Sequence, residues 1–364
     1  MKNKIALALL LLLAVFHLSA QESNSLRVLH LTFHKGCKKE LEGVAKELSI
    51  DLTTWFIPDL PAGFFDGKTS GNALYNIGHE RAHRIWDLHQ DFFHAFDIVI
   101  TSDTTPLSRI FLQNHWEKPL IIWICNRFDY CDAASLDCPF PDQEYYDLFK
   151  AAMDQDNVTI VAYTEFEHYW ARKMGIETKS LTITPCGLNI GELKTSAIPK
   201  DIVKPQTFFL PPYHNETIFM DLSSYLKERG IPNFCGRYNG PADLKNFKGI
   251  IHLPYSFSNL ALFENIQMGI PYFIPTIRFF EELVEQGNYF HPNLSCLIHD
   301  QVHSLSEWYD PKHAEIFTYF DSWDDLIFKI NHLEYEKKRK EIRAYGREIK
   351  KDNLKKWANL LRSY

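Results

Sequence analysis

From residue 26 onward the chain alternates short apolar runs with stretches whose apolar positions recur at helical spacing. Residues 26–33 form a β-favouring run, the turn His34-Lys35-Gly36 follows, residues 38–48 are amphipathic, and residues 50–56 form a second β-like run. The expectation is a βαβ unit. A segment rich in Pro, Gly and Asp occupies 58–71. Helical periodicity then appears at 77–93, 143–153 and 165–173, and buried-type strands at 96–101, 120–125 and 158–163. Strands alternating with helices at this spacing predict a parallel sheet covered on both faces.

Residues 187–207 hold Gly, Pro, Lys and Ser without periodicity, and the alternation resumes beyond them. Strands are expected at 207–210, 233–236, 249–253 and 271–274, and helices at 217–229 and 259–268. The pattern predicts an α/β protein of two Rossmann-like parallel-sheet domains, at 21–190 and 207–335, joined by a linker at 191–206. Residues 324–330 look helical. Residues 335–361 predict a long basic amphipathic helix with Ile342, Ile349, Trp357 and Leu360 among its apolar positions, so that 336–364 form a tail. No repeat of 20–50 residues is visible, which excludes solenoids and propellers.

The 364 residues are 45% hydrophobic and 23% charged, enough for two cores that need no disulfides and too apolar for a disordered chain. The net charge is −7, yet residues 334–364 carry eleven Lys/Arg against five Asp/Glu, so the body is strongly acidic. An acidic body with a basic tail argues against nucleic acid as ligand, because a phosphate backbone needs a basic face on the body itself.

Residues 1–20 begin with Lys2 and Lys4, continue through an uncharged apolar run at 5–16 and end in Ser19-Ala20. This is a signal-peptide pattern, with an uncleaved signal anchor as the alternative, and it implies an exported protein in the secretory lumen or the periplasm. Among seven cysteines, Cys125, Cys131 and Cys138 lack the spacing of a zinc site, and a disulfide within that loop is expected in an oxidising compartment. Sequons occur at Asn157, Asn215 and Asn293.

The most specific signal is GIIHLPYSFSNLALFENIQMGIPYFIP at 249–275, where Glu264 is followed by Gly269 and Pro271. This spacing resembles the nucleotide-sugar half of GT-B glycosyltransferases, two Rossmann-like domains facing across a cleft. The resemblance implies that Glu264 holds the donor ribose, a task that suits a carboxylate because it accepts two hydrogen bonds from vicinal hydroxyls. The alternative is a solvated helix carboxylate. Ser258 and Asn259 open the following helix and either cap it or place its N–H groups on a donor diphosphate. Many retaining members carry a second Glu where this chain has Ser256, which leaves the stereochemistry open.

The resemblance extends to Arg237, after a predicted strand, as a guanidinium for the diphosphate or else a surface ion pair. It extends also to TITPCGL at 182–188, similar to the junction that ends many GT-B first domains. In the first domain His34 lies between strand and helix, where ligands meet a parallel sheet. Similarity to inverting members makes it the candidate base that takes a proton from the acceptor hydroxyl. Lys35, Asp103 and Arg127 are candidates for the acceptor side, or are turn and capping residues. Asp154-Gln155-Asp156 is formally a metal-binding DxD, but it precedes a strand instead of following one and reads as a solvated loop. No metal site and no cofactor are assigned.

The expected function is transfer of a sugar from an activated, nucleotide-linked donor to a glycan, lipid or protein acceptor. The alternative is a secreted two-lobed protein that closes on a ligand without chemistry. The basic tail either docks on the body or touches a membrane surface.

Overall fold

A computed structural model describes residues 26–67, 77–129, 142–178, 181–191, 198, 202, 206–211, 221–287 and 301–364. The leader pattern at 1–20, Cys131, Cys138, Cys296, Asn215 and Asn293 lie outside the described residues, as does most of the expected linker.

The first sheet is built from β1 (Arg27–Thr32), β2 (Asp51–Phe56), β3 (Ile98–Asp103), β4 (Leu120–Ile124) and β5 (Val158–Ala162). Its helices are α1 (Lys35–Leu48), α2 (His79–Phe93), the short α3 (Arg109–Leu112), α4 (Gln143–Ala152) and α5 (Glu165–Lys173). The strands are parallel in the order β2-β1-β3-β4-β5. Every residue of β3 and β4 is buried, which is why those runs read as continuously apolar and not as alternating.

The second sheet contains β6 (Phe208–Leu210), β7 (Asn233–Cys235), β8 (Gly249–Ile251), β9 (Tyr272–Pro275) and β10 (Phe317–Phe320), with α6 (Leu222–Glu228), α7 (Leu260–Met268), α8 (Ile277–Glu285) and α9 (Trp323–His332). Read from the other edge, its order is β7-β6-β8-β9-β10, all parallel, which repeats the connectivity of the first sheet. Each sheet therefore has a switch point where successive connections leave in opposite directions, between β1 and β3 and between β6 and β8. Ligands of open α/β sheets bind in the crevice beyond such points.

The junction at 182–188 is pinned from both sides. The Glu40 carboxylate of α1 accepts the backbone N–H groups of Cys186 and, at 3.1 Å, Leu188. Gln267 of α7 donates to Cys186 O at 2.9 Å.

The last helix, α10 (Tyr335–Arg362), spans 28 residues, about 42 Å at 1.5 Å per residue. It leaves the second sheet and returns to the first. Gly269, at φ +72°, ends α7 in the left-handed region, and a Cβ there would stand 2.7 Å from Arg339 O of α10. Further along, Trp357 meets Trp123 of β4 edge to face, with 5.3 Å between ring centroids. Asn353 Nδ2 donates to Thr184 Oγ1 at 2.7 Å, and Lys350 pairs with Glu47 of α1 at 2.5 Å. Of the four apolar positions read from the sequence, Ile342, Trp357 and Leu360 are buried and Ile349 is half-buried. No described helix is long and apolar enough to cross a membrane.

Candidate active site

A cavity of about 550 Å³ opens at the switch point of the second sheet. Arg237, His252, Tyr255, Asn259 and Tyr272 line it from the second domain, and His34 closes it from the first. Arg237 is exposed just beyond β7 and has no ion-pair partner among the described residues. Asn259 caps α7: its Oδ1 accepts Ala261 N–H at 3.0 Å, and its Nδ2 donates to Tyr255 OH at 2.7 Å. Its side chain is thereby committed to holding the turn, and what the turn offers a ligand is backbone N–H and the positive end of α7. Ser258 is not part of the cavity wall; its hydroxyl interacts with Glu167 of α5.

His34 caps α1, its Nδ1 accepting from Cys37 N at 3.4 Å with Cys37 Sγ 3.5 Å away. The helix starts three residues earlier than periodicity suggested because this cap supplies an acceptor for the first turn. Gly36 follows because space is short: a Cβ there would lie 2.5 Å from Leu260 Cδ1, where α1 and α7 meet across the domain boundary.

His34 is exposed in the cavity wall, with its ring near Cys37. Burial pulls its pKa down, but the Cys37 thiolate, Asp103 and Glu264 outweigh it and raise it to about 9. Burial pushes the Cys37 thiol up, and the Cys125 thiol and His34 overcome that and lower it. The cap needs Nδ1 without a hydrogen, whereas base action at Nε2 needs the hydrogen on Nδ1 with Cys37 Sγ as its acceptor, so the two contacts belong to different tautomers.

Asp103 ends β3 with φ +91°, a strained conformation for a non-glycine residue. It is buried, and burial followed by Cys37 raises its carboxyl to about 7 against the pull of His34 and Asn126. Glu264 comes from α7 into the same cluster. Burial raises it to about 7, opposed by a hydrogen bond from Asn189 and the charge of His34 and assisted by Glu40. His34, Asp103 and Glu264, far apart in sequence, are thus electrostatically coupled across the domain boundary, although Glu264 does not line the cavity itself.

Lys35 is exposed in the first turn of α1 and Arg127 is buried with its guanidinium 5.7 Å over the Trp170 ring; neither lines the cavity. Asp154 and Asp156 precede β5, at the end of the first sheet opposite His34. Cys125 is a free buried thiol beside Cys37, so a disulfide within its loop does not include it, and Cys131 and Cys138 lie outside the described residues. Sequence reading missed Cys37 and Glu40, whose roles come from contacts that no local motif encodes. It also missed Ser306-Glu307-Trp308, which cradles the turn before α7: Ser306 Oγ donates to Phe257 O at 3.1 Å and Trp308 Nε1 to Ser256 O at 2.7 Å.

No protein-family profile matches the chain, and no curated protein matches it. Among solved structures, CalG4, the calicheamicin glycosyltransferase, is similar at 12% identity and a TM-score of 0.44, covering 93% of this chain and 98% of that one. UDP-N-acetylglucosamine 2-epimerase from Rickettsia bellii is similar at 11% identity and a TM-score of 0.40, covering 86% of this chain and 98% of that one. The S. aureus MnaA–UDP co-structure is similar at 12% identity and a TM-score of 0.40, covering 77% of this chain and 88% of that one. Two parallel sheets of one strand order, a cavity between them and a final helix returning to the first domain give this chain a GT-B-like architecture.

Proposed function

We propose that the protein is a glycosyltransferase that takes a sugar from a nucleoside-diphosphate donor and transfers it to an acceptor hydroxyl without a metal ion. The observation that carries this reading is His34: a histidine of one domain stands in the wall of a cavity otherwise built by the other, with Arg237 in the same wall. Arg237 and the N–H groups opening α7 supply positive charge where a diphosphate departs, and His34 takes the acceptor proton as the new bond forms. The export implied by the leader pattern and a membrane contact through the basic outer face of α10 belong to the same proposal.

Thermal unfolding in the presence of UDP, GDP and their sugar conjugates tests the donor, because a ligand that binds only the folded state raises its apparent stability. Product formed from a sugar nucleotide separates an enzyme from a two-lobed binding protein, which would show the shift alone.

Glu264 is assigned to the donor ribose on the Glu-x4-Gly-x-Pro spacing. Glu264→Gln is expected to weaken nucleotide binding by about 1–3 kcal/mol, the scale of hydrogen bonds to a charged group, at nearly unchanged melting temperature. Unchanged affinity with a shifted pH profile would move Glu264 from the donor to the support of His34, with which it interacts.

Activity is expected to persist in excess chelator, and Asp154→Asn with Asp156→Asn to be nearly silent, since those carboxylates sit at the far end of the sheet. Strict dependence on a divalent cation would overturn the metal-independent mechanism.

A further inference from the structure

A second cavity, of about 550 Å³, lies where the end of the first sheet, the segment before β10 and the last helix meet. Thr164 and Thr184 line it from the first domain, Glu307 and His313 from the second, and Tyr345 and Asn353 from α10. Its charges are unbalanced. The carboxyl groups of Glu165, Glu307, Asp310, Glu348 and Asp352 share the wall with Lys312 and Lys356, and none of them forms an ion pair among the described residues. Lys356 is engaged elsewhere, its Nζ donating to Thr182 O at 3.1 Å. His313 adds no charge near neutral pH: its Nδ1 is bonded to Tyr345 OH at 2.5 Å, and burial lowers its pKa.

The most buried of these carboxyl groups is that of Glu307, at 1% exposure, whereas Glu165, Glu348 and Asp352 are exposed. Glu307 Oε1 accepts the N–H of Asn259, and Oε2 has no donor among the described residues. A buried carboxyl oxygen without a partner costs free energy until something supplies a donor. Glu307 N also donates to Phe257 O at 3.2 Å. One residue therefore lines the second cavity and holds the turn that opens α7 in the first.

We propose that the second cavity binds an organic polycation, a polyamine whose leading ammonium group donates to Glu307 Oε2 while Glu165, Glu348 and Asp352 attract the rest of its chain at the open side. An ammonium group has donors and no acceptor, which is what an unpartnered carboxyl oxygen and an excess of carboxylates call for. Leu305 and Ile349 in the same wall offer apolar surface to its methylene stem. A metal ion fits less well, because no group of three or more His, Cys, Asp or Glu among the described residues could hold one. The volume also exceeds many times the ~30 Å³ share of a single water molecule.

Burial raises Glu307 well above the usual carboxylate range, against the pull of the Asn259 N–H and with the help of Glu167 of α5. Tyr163 after β5 and Tyr272 of β9 also act on it electrostatically, and burial keeps both phenols uncharged near neutral pH. Without a cation beside it, this carboxyl group keeps its proton. The ammonium group takes the place of that proton, which leaves to solvent. An ionised Glu307 is the stronger acceptor for Asn259 N–H, so an amine in the second cavity tightens the turn of the first.

Calorimetric titration of the full chain with spermidine, near neutral pH, at fixed ionic strength and in buffers of different ionisation heat, tests this. Saturable binding is expected, with about one proton released per spermidine. Glu307→Gln keeps an oxygen for Asn259 N–H and loses the charge, so it should bind about ten- to hundredfold more weakly and release no proton. No binding by the parent overturns the site, and so does equal affinity in the variant, which would mean diffuse attraction to the acidic body. Glu348→Gln with Asp352→Asn alters exposed side chains only and should weaken binding about threefold at an unchanged melting temperature; unchanged affinity overturns the polycation. Spermidine should slow amide hydrogen exchange in the 255–264 peptide of the parent and not of Glu307→Gln. Slowing confined to α10 would leave the amine on the outer wall and overturn its contact with Glu307. Each measurement uses the protein and the amine alone, so the presence or absence of nucleotide binding at the first cavity does not alter its outcome.

Discussion

His34→Gln is expected to lower the transfer rate by about 10²–10⁴-fold, the usual contribution of a positioned base, while leaving nucleotide affinity nearly unchanged. The separation follows from the geometry: His34 reaches the cavity from the first domain, whereas the groups proposed for the donor belong to the second. The pH dependence is sharper still. A histidine acts as a base only when neutral, and the thiolate at Cys37 with the carboxyls of Asp103 and Glu264 raises this one to about 9. Below that pH most of the protein holds a protonated imidazole, so the rate should climb with pH towards about 9. Cys37→Ser removes the thiolate, so it should move that rise to lower pH and increase the rate near neutrality. A profile that is identical in Cys37→Ser and the parent would show that the thiol does not control His34, and an active His34→Gln would remove His34 as the base.

The organisation was legible because parallel sheets advertise themselves. Strands such as 120–124 are buried on both faces and appear as unbroken apolar runs, and helices between them keep amphipathic spacing. The strand Phe317–Phe320 escaped because four aromatic and polar residues carry too little periodicity, and its place at the sheet edge is decided by pairing with β9. The site was legible only where a side chain belongs to its own turn. His34, Arg237 and Asn259 follow or precede regular elements, and all three reach the cavity. Glu264 reached the cluster by a different route from the one the motif suggested, towards His34 and Asn189 and not into the cavity wall. Gly269, in the same motif, has a structural explanation in the left-handed end of α7 and the close approach of α10. Glu307 could not be foreseen, because its contact is with Asn259 N–H in a turn far earlier in the sequence.

Removing residues 336–364 is expected to abolish cooperative folding. The deleted helix buries Ile342, Trp357, Leu360 and Leu361, and full burial of side chains of this kind is worth about 1.5–3 kcal/mol each. Four of them contribute roughly 6–12 kcal/mol, as much as the roughly 5–15 kcal/mol net stability of a typical protein. The loss is not confined to one domain, since α10 touches the close approach at Gly269, the junction at Thr184 and the first sheet at Trp123. The truncated chain should therefore expose apolar surface, bind a hydrophobic dye and lose its melting transition. Trp357→Ala provides a milder version, at about 3–5 kcal/mol for a large buried aromatic, because it leaves the edge of Trp123 facing a void. Docking uses one face of the helix, while much of its basic charge is exposed on the other, so vesicles of anionic lipid should bind the intact protein without unfolding it. A truncated protein that keeps its melting temperature and loses only vesicle binding would make the helix a membrane element, and the contacts with Trp123 and Thr184 incidental to stability.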